Sequence, residues 1–437
     1  MFLDYDVLIA GAGPAGCAAA YDLARAGKRV LMLDRRTFPR HKACACGLTR
    51  KTLRALRYSV EPVVERVCRE VVLQEAGLRF HEGVRVADKS SEVRVQTRKV
   101  ICAMAVRERF DAFCLQQTLA AGAELKKIES VMAVRESPTR VEIEVAADGV
   151  AETLRAAVLI GADGSNGQMR RLAAGLDAQR DGLRESLREG AWIESRTAQL
   201  PAEPAWYAHG FALEATVPFE VLPPMLPGGD GPQDLVFDFA PIAGGYGWLF
   251  PKGDHINVGV GRFVPKDGTA DGSLECVPCE SVTRGLLESY TRQKLGVKLC
   301  DLEAHISGQH VGLGGDGYVP HGRVLLAGDA AGLVDPLTGE GIFSAIKSGQ
   351  AAAGASLACA GADTATLSGE YAERLRELQA MLEFSHEVAR NFYREPERGF
   401  RVVRKRLLRH LTLKTYADGL PYTMLLAGLR AAVRQAS

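Results

Sequence analysis

Apolar runs of four or five residues, each closed by glycine or by a single acid, recur along this 437-residue chain. Val7–Ala10 and Val30–Leu33 flank an Ala-rich stretch, Ala157–Ile160 precedes a second glycine turn, and another run follows Arg323. Unbroken apolar runs this short predict strands buried on both faces, as in a parallel sheet covered by helices. Elsewhere the period changes. Residues 62–100 alternate charge with Val, and Leu235–Phe239, Gly247–Phe250 and Ile256–Gly261 are short runs within a Pro/Gly-rich region, so both stretches predict antiparallel strands. Phe113, Leu115 and Leu119 give Ala112–Ala121 the apolar side of a helix. Helical spacing dominates from 366 onward, from Leu367–Leu382 to Pro421–Val433.

Three of the turns carry chemistry. Gly11-Ala12-Gly13-Pro14-Ala15-Gly16 joins the first strand to the Ala-rich helix, and Asp34 closes the next strand. In that setting Gly11 permits a tight turn, Gly13 lets backbone approach a pyrophosphate, Gly16 allows close helix–strand packing, and Asp34 is placed for an adenosine ribose. An acid there favours an unphosphorylated ribose, as in FAD or NAD. The stretch Arg323–Ala353 selects FAD, because Gly328-Asp329-Ala330 ends a strand and Gly339-Glu340-Gly341 opens a helix. A carboxylate at the strand end can accept from a ribitol hydroxyl, and amides at the helix start can face an electron-rich ring edge. Gly161-Ala162-Asp163-Gly164-Ser165 is the third piece. Arg107 and Arg109, just before the Ala112 helix, either reach the cofactor or form a helix-start salt bridge. The expected fold class is α/β, with a Rossmann-like FAD-binding domain (1–60, 101–175 and 301–365), an interleaved antiparallel-sheet substrate domain (61–100 and 176–300) and a C-terminal helical region (366–437).

Charge narrows the partners. Lys and Arg number 54 against 53 Asp and Glu, which gives no broad positive field, and no nucleic-acid partner is expected. Ten cysteines spread over the chain suit a reducing compartment, and Cys276-Val277-Pro278-Cys279 has no second pair to complete a metal site, so no metal is expected. The chain enters its first strand without a basic leader, and no apolar run reaches the ~18–20 residues needed to span a bilayer, so a cytoplasmic location is expected. Phe400, Val403, Leu407 and Leu411 form a stripe flanked by Arg401, Arg404, Lys405, Arg406 and Arg409. Such a stripe either packs on its own domain or rests peripherally on an anionic membrane.

Together the three glycine pieces resemble the p-hydroxybenzoate hydroxylase-like flavoprotein fold. Lys42-Ala43-Cys44-Ala45-Cys46-Gly47-Leu48 and Gly245-Tyr246-Gly247-Trp248-Leu249-Phe250-Pro251-Lys252, the latter followed by Asn257-Val258-Gly259-Val260-Gly261, resemble the motifs of the geranylgeranyl reductase family. The likeness covers most of residues 4–355. It implies an FAD enzyme that reduces carbon–carbon double bonds of a prenyl chain on a lipid, pigment or quinone precursor, drawing electrons from NAD(P)H or a ferredoxin-type carrier protein. By the same resemblance Ala15, Asp34, Cys44, Ala45, Gly47, Arg107, Asp329, Gly341 and Ile342 contact the cofactor, beside Gly11, Gly13, Gly16, Asp163 and Gly328 of the glycine motifs. The resemblance also makes Cys44 the candidate catalytic or substrate-positioning residue; a thiol near its ordinary pKa of ~8.5 stays mostly protonated at neutral pH, which permits acid chemistry. Tyr246, Trp248 and Phe250 alternate along one strand and therefore share a face, as the wall of a prenyl tunnel or as plain core. Cys46, where the family pattern has a small residue, and Glu340, which could simply cap a helix, are departures. The alternative function is a flavin monooxygenase acting on an aromatic substrate, whose DG element Asp163-Gly164 resembles.

Overall fold

All four side chains of Val7–Ala10 are inaccessible to solvent, which requires a strand covered from above and below. In this computed structural model, which describes residues 3–75, 79–81, 84–86, 92–182, 192–223, 234–263 and 281–419, that strand is the middle of a five-stranded parallel sheet. In chain order the elements used below are β1 (Val7–Ala10), α1 (Pro14–Arg25), β2 (Val30–Asp34), β3 (Glu70–Gln74), β4 (Glu92–Gln96), α2 (Arg107–Ala120), β5 (Glu124–Lys127) and β6 (Val158–Gly161). They continue with α3 (Met169–Gly182), β7 (Ala208–Pro218), β8 (Leu235–Asp238), β9 (Gly245–Pro251), β10 (His255–Arg262), α4 (Arg284–Leu295) and β11 (Ile306–Leu313). The last are β12 (Val324–Leu326), α5 (Ile342–Ala358), α6 (Thr364–Arg394), α7 (Pro396–Arg404) and α8 (Arg406–Asp418).

The parallel sheet runs β5-β2-β1-β6-β12, so the strands that end in Ala10, Asp34, Gly161 and Leu326 all point their carboxyl ends the same way. Helices α1 and α5 pack against it and each other. A Cβ at Gly349 of α5 would lie 2.2 Å from the Ala15 carbonyl, so only glycine permits that approach, which brings the two helix starts to one place. The second large sheet runs β11-β7-β10-β9-β8-β3-β4 and is antiparallel except where β8 meets β3. Residues Ser130–Glu136, Val141–Ala147, Val150–Ala156 and Ile193–Arg196 make a separate four-stranded sheet.

Three expectations need correction. Residues 306–313, expected in the nucleotide domain, form the edge strand β11 of the seven-stranded sheet; their Ser, Gln and His positions hid the strand pattern. The expected boundary at 175 falls inside α3. The C-terminal stripe is not one helix face, because Lys405 is extended (φ −73°, ψ 120°) and separates α7 from α8. Phe400 and Val403 therefore pack inward, while Leu407 is turned outward and 58% exposed, its place in the core taken by Leu408 and Leu413. The Cys276/Cys279 pair, much of the Leu222–Pro232 loop and Pro421–Val433 lie outside the described residues.

Candidate active site

The β1–α1 turn is closed by Gly11 at φ +107°, where a Cβ would lie 2.3 Å from the Ala162 carbonyl. Gly13 caps α1 without a side-chain partner for the first-turn amides, and a Cβ there would meet only Arg40, at 3.5 Å, so the floor above the helix start is open. Asp34 fixes the opposite wall, its Oδ2 accepting the Ala12 N–H and its Oδ1 the Arg36 N–H, both at 2.8 Å. At the other end, α5 starts at Gly341 with no side-chain cap on Gly341 itself. Glu340 Oε1 accepts the Phe343 N–H at 2.8 Å and Oε2 lies 3.1 Å from Lys51 Nζ, so Glu340 does cap that helix. Asp329, just past β12, lies 3.8 Å from Lys42 Nζ. Both helix starts face one elongated cavity of about 500 Å³, into which their dipoles direct partial positive charge.

Every expected cofactor residue lines that cavity except Gly16. Gly16 serves packing, since a Cβ there would sit 1.9 Å from the Gly11 carbonyl. Asp163 reaches the cavity, but its side chain turns away: Oδ2 accepts the Gln168 and Met169 N–H groups at 2.6 and 3.0 Å and so caps α3. Arg107 forms the helix-start salt bridge, pairing with Asp111 at 2.8 Å inside α2, and it also lines the cavity beside Cys44. Arg109 instead points outward to Glu65, with its side chain 69% exposed.

Cys44 does not keep the ordinary thiol character expected of it. The Cys46 thiol and the Arg107 guanidinium donate to its sulfur, as does the Cys46 N–H at 3.3 Å, and together they hold Cys44 well below the usual thiol range despite burial. Cys46, held at φ +47°, is pushed the other way by that same hydrogen bond and by burial. The buried Lys252 ammonium reaches the Ala45 carbonyl at 2.5 Å, and burial pulls its pKa down. Sequence reasoning missed Glu214 of β7, a buried acid whose Oε1 accepts the Cys44 N–H at 2.8 Å.

Tyr246, Trp248 and Phe250 do share one face of β9 and line the cavity, with Phe237 of β8 edge-on to Tyr246 and Phe250 at 5.2 Å. The glycine motif of β10 explains how the indole fits: a Cβ at Gly259 would lie 2.0 Å from the Trp248 ring. Behind this aromatic layer is a second cavity of about 560 Å³, walled by Phe239, Phe392, Phe400, Val403, Leu408 and Leu413 among others. Phe237, Tyr246, Thr338 and Tyr416 face both cavities.

Residues 4–201 match the FAD binding domain family. Menaquinone reductase of Mycolicibacterium smegmatis is 29% identical over 358 residues, 80% of this chain and 75% of the relative. Geranylgeranyl diphosphate reductase of Rhodobacter capsulatus is 27% identical over 364 residues, 82% of this chain and 76% of the relative. The fold matches a geranylgeranyl bacteriochlorophyll reductase-like protein from Thermoplasma acidophilum (TM-score 0.66, 19% identity, 98% of each chain) and a flavin-dependent brominase (TM-score 0.65, 16% identity, 99% of each chain). The open Gly13 floor, the two helix starts and the acid at Asp34 fit FAD. The chain is thus an FAD-binding oxidoreductase similar in sequence to geranylgeranyl and menaquinone reductases, on a fold shared with the flavoproteins above.

Proposed function

We propose that this enzyme hydrogenates carbon–carbon double bonds of a prenyl chain. The carrying observation is the apolar cavity of about 560 Å³ that adjoins the cofactor cavity across a shared aromatic wall. An isolated alkene is poorly polarised, so its reduction needs alignment, dryness and a proton source more than strong electrophilic activation. Bound FAD, once reduced, supplies hydride. The residues of the chain do the rest: Tyr246, Trp248 and Phe250 exclude water and orient the chain, and the cavity behind them holds its remaining units. The two similar reductases, named for menaquinone and for geranylgeranyl diphosphate, support this reading without fixing the head group. NAD(P)H or a ferredoxin-type carrier supplies the electrons.

A lipid-borne substrate also favours peripheral contact with a membrane. Among the described residues no helix is long and apolar enough to cross one. Val402, which lines the apolar cavity, and Leu407 are 41% and 58% exposed beside the exposed Arg401, Arg404, Lys405 and Arg406. Apolar side chains ringed by cations suit an anionic lipid surface. Co-sedimentation with anionic vesicles, lost at high salt and in Leu407→Glu, is the expected result.

The deciding assay reduces the flavoprotein anaerobically, adds geranylgeranyl-bearing lipid or diphosphate, and follows flavin reoxidation with product mass. Two hydrogens gained per bond, with the flavin reoxidised, are expected. No reoxidation until oxygen and an aromatic acceptor are admitted, with one oxygen added to the product, would move the enzyme to the monooxygenases.

A further inference from the structure

Glu214 belongs to no motif, yet it stands at the centre of the cavity's polar wall. It lies in mid-strand on β7, opposite Gly259 of β10 and Ser307 of β11, is 7% exposed, and lines the cavity with Cys44, Tyr246, Trp248 and Phe250. Its orientation is fixed from two sides. Oε1 accepts the Cys44 N–H at 2.8 Å. The Trp248 indole N–H, which can only donate, holds the Asn257 Oδ1 at 2.7 Å and so turns the Asn257 amide NH₂ toward Glu214, to which it hydrogen-bonds.

The charges facing Glu214 come from every element around it. Cys44 and Cys46 approach from the segment after β2, Arg107 reaches Cys44 from the start of α2, and Lys252 follows β9. On β11, Ser307 is taken by His41 at 2.8 Å. Donors converge on the Cys44 sulfur and favour its thiolate, which has no proton to give. Burial and the Cys44 charge act oppositely on Glu214, pushing it up to about 7, with the hydrogen bonds from the Cys44 N–H and Asn257, and the Lys252 charge, offsetting part of the effect. A negative Cys44 and a protonated Glu214 are thus two sides of one arrangement.

We propose that Glu214 is the proton donor of this cavity and that Cys44 is the positioning residue whose negative charge keeps it in the acid form. The assignment rests on the alkene-reductase reading above. With reduced FAD bound, hydride would be supplied to one alkene carbon as the π bond breaks, leaving oxidised flavin, and the other carbon would form its C–H bond with the Glu214 proton as that O–H bond breaks. Solvent then reprotonates the carboxylate.

Infrared difference spectroscopy on the flavin-free full chain can follow the protonated-carboxyl band of Glu214, assigned by its loss in Glu214→Gln. That band should titrate near pH 7, and its midpoint should fall in Cys44→Ser, which removes the like charge. In the reduced holoenzyme, Glu214→Gln should keep FAD yet slow single-turnover product formation by roughly 100-fold. The wild-type rate should decline as pH rises through about 7, and the residual rate of the variant should not. A carboxyl already ionised near its ordinary ~4.3, or a midpoint indifferent to Cys44→Ser, would overturn the proposal. So would an unchanged rate in Glu214→Gln. If wild type reduces no prenyl acceptor, the alkene reading fails, while the infrared titration still decides whether Glu214 holds a Cys44-dependent proton.

Discussion

Glu214 carries a cost that is visible in folding as well as in chemistry. Its carboxyl is held up to about 7 in the folded chain against an ordinary ~4.3, so the folded state binds that proton more tightly than the unfolded state. The stabilising contribution is fully present below the ordinary carboxylate range and is lost as pH rises through about 7. The loss amounts to something on the order of 3 kcal/mol. Flavin-free Glu214→Gln should therefore melt above wild type at about pH 8, and the gap should close toward about pH 4, as read by thermal melts across that window. Asp329 is the complementary case, an acid 3.8 Å from Lys42 whose own pairing supports the cavity. Asp329→Ala removes an acceptor and strands the cation, so FAD should bind ten- to a hundredfold more weakly, about 1–3 kcal/mol, in a fluorescence titration of the apoprotein.

At the scale of elements, the aromatic strand β9 depends on the bareness of its neighbour. Gly259→Ala puts a methyl group 2.0 Å from the Trp248 ring, so the variant should lose about 1–3 kcal/mol in denaturant unfolding. Trp248→Ala should leave FAD binding intact and change chain-length preference among prenyl acceptors, read from competing substrates. The parallel strands were legible in the sequence because four consecutive apolar residues, as in Val7–Ala10, suit only a strand covered on both faces. The glycine turns were legible for the same kind of reason, since Gly11 at φ +107° tolerates no other residue cheaply. The start of α2 at Arg107 was not, because its first turn is fixed by the buried Arg107–Asp111 pair and not by apolar spacing. Nor was the break at Lys405, which has neither proline nor glycine to mark it. Glu214 stayed hidden because an acid between Leu213 and Ala215 reads as the wet side of a strand. Only the fold shows that the Cys44 segment covers that side.

For the molecule as a whole, the cofactor cavity is the joint between the two large sheets. It takes walls from the ends of β1, β2, β6 and β12 and from β7, β8, β9 and β11, so a ligand bound there touches both. FAD at a thousandfold over its Kd should add about 4 kcal/mol to stability, seen in calorimetry as a higher melting temperature for the holoenzyme than for the apoprotein. The wall between the two cavities has a further consequence. Tyr246 donates its hydroxyl to the Thr338 carbonyl on the loop leading into α5, so this partition is tied to both halves of the protein. Anything long enough to occupy both chambers must pass one anchored aromatic edge, so the two spaces are joined at a fixed threshold and not through a movable flap.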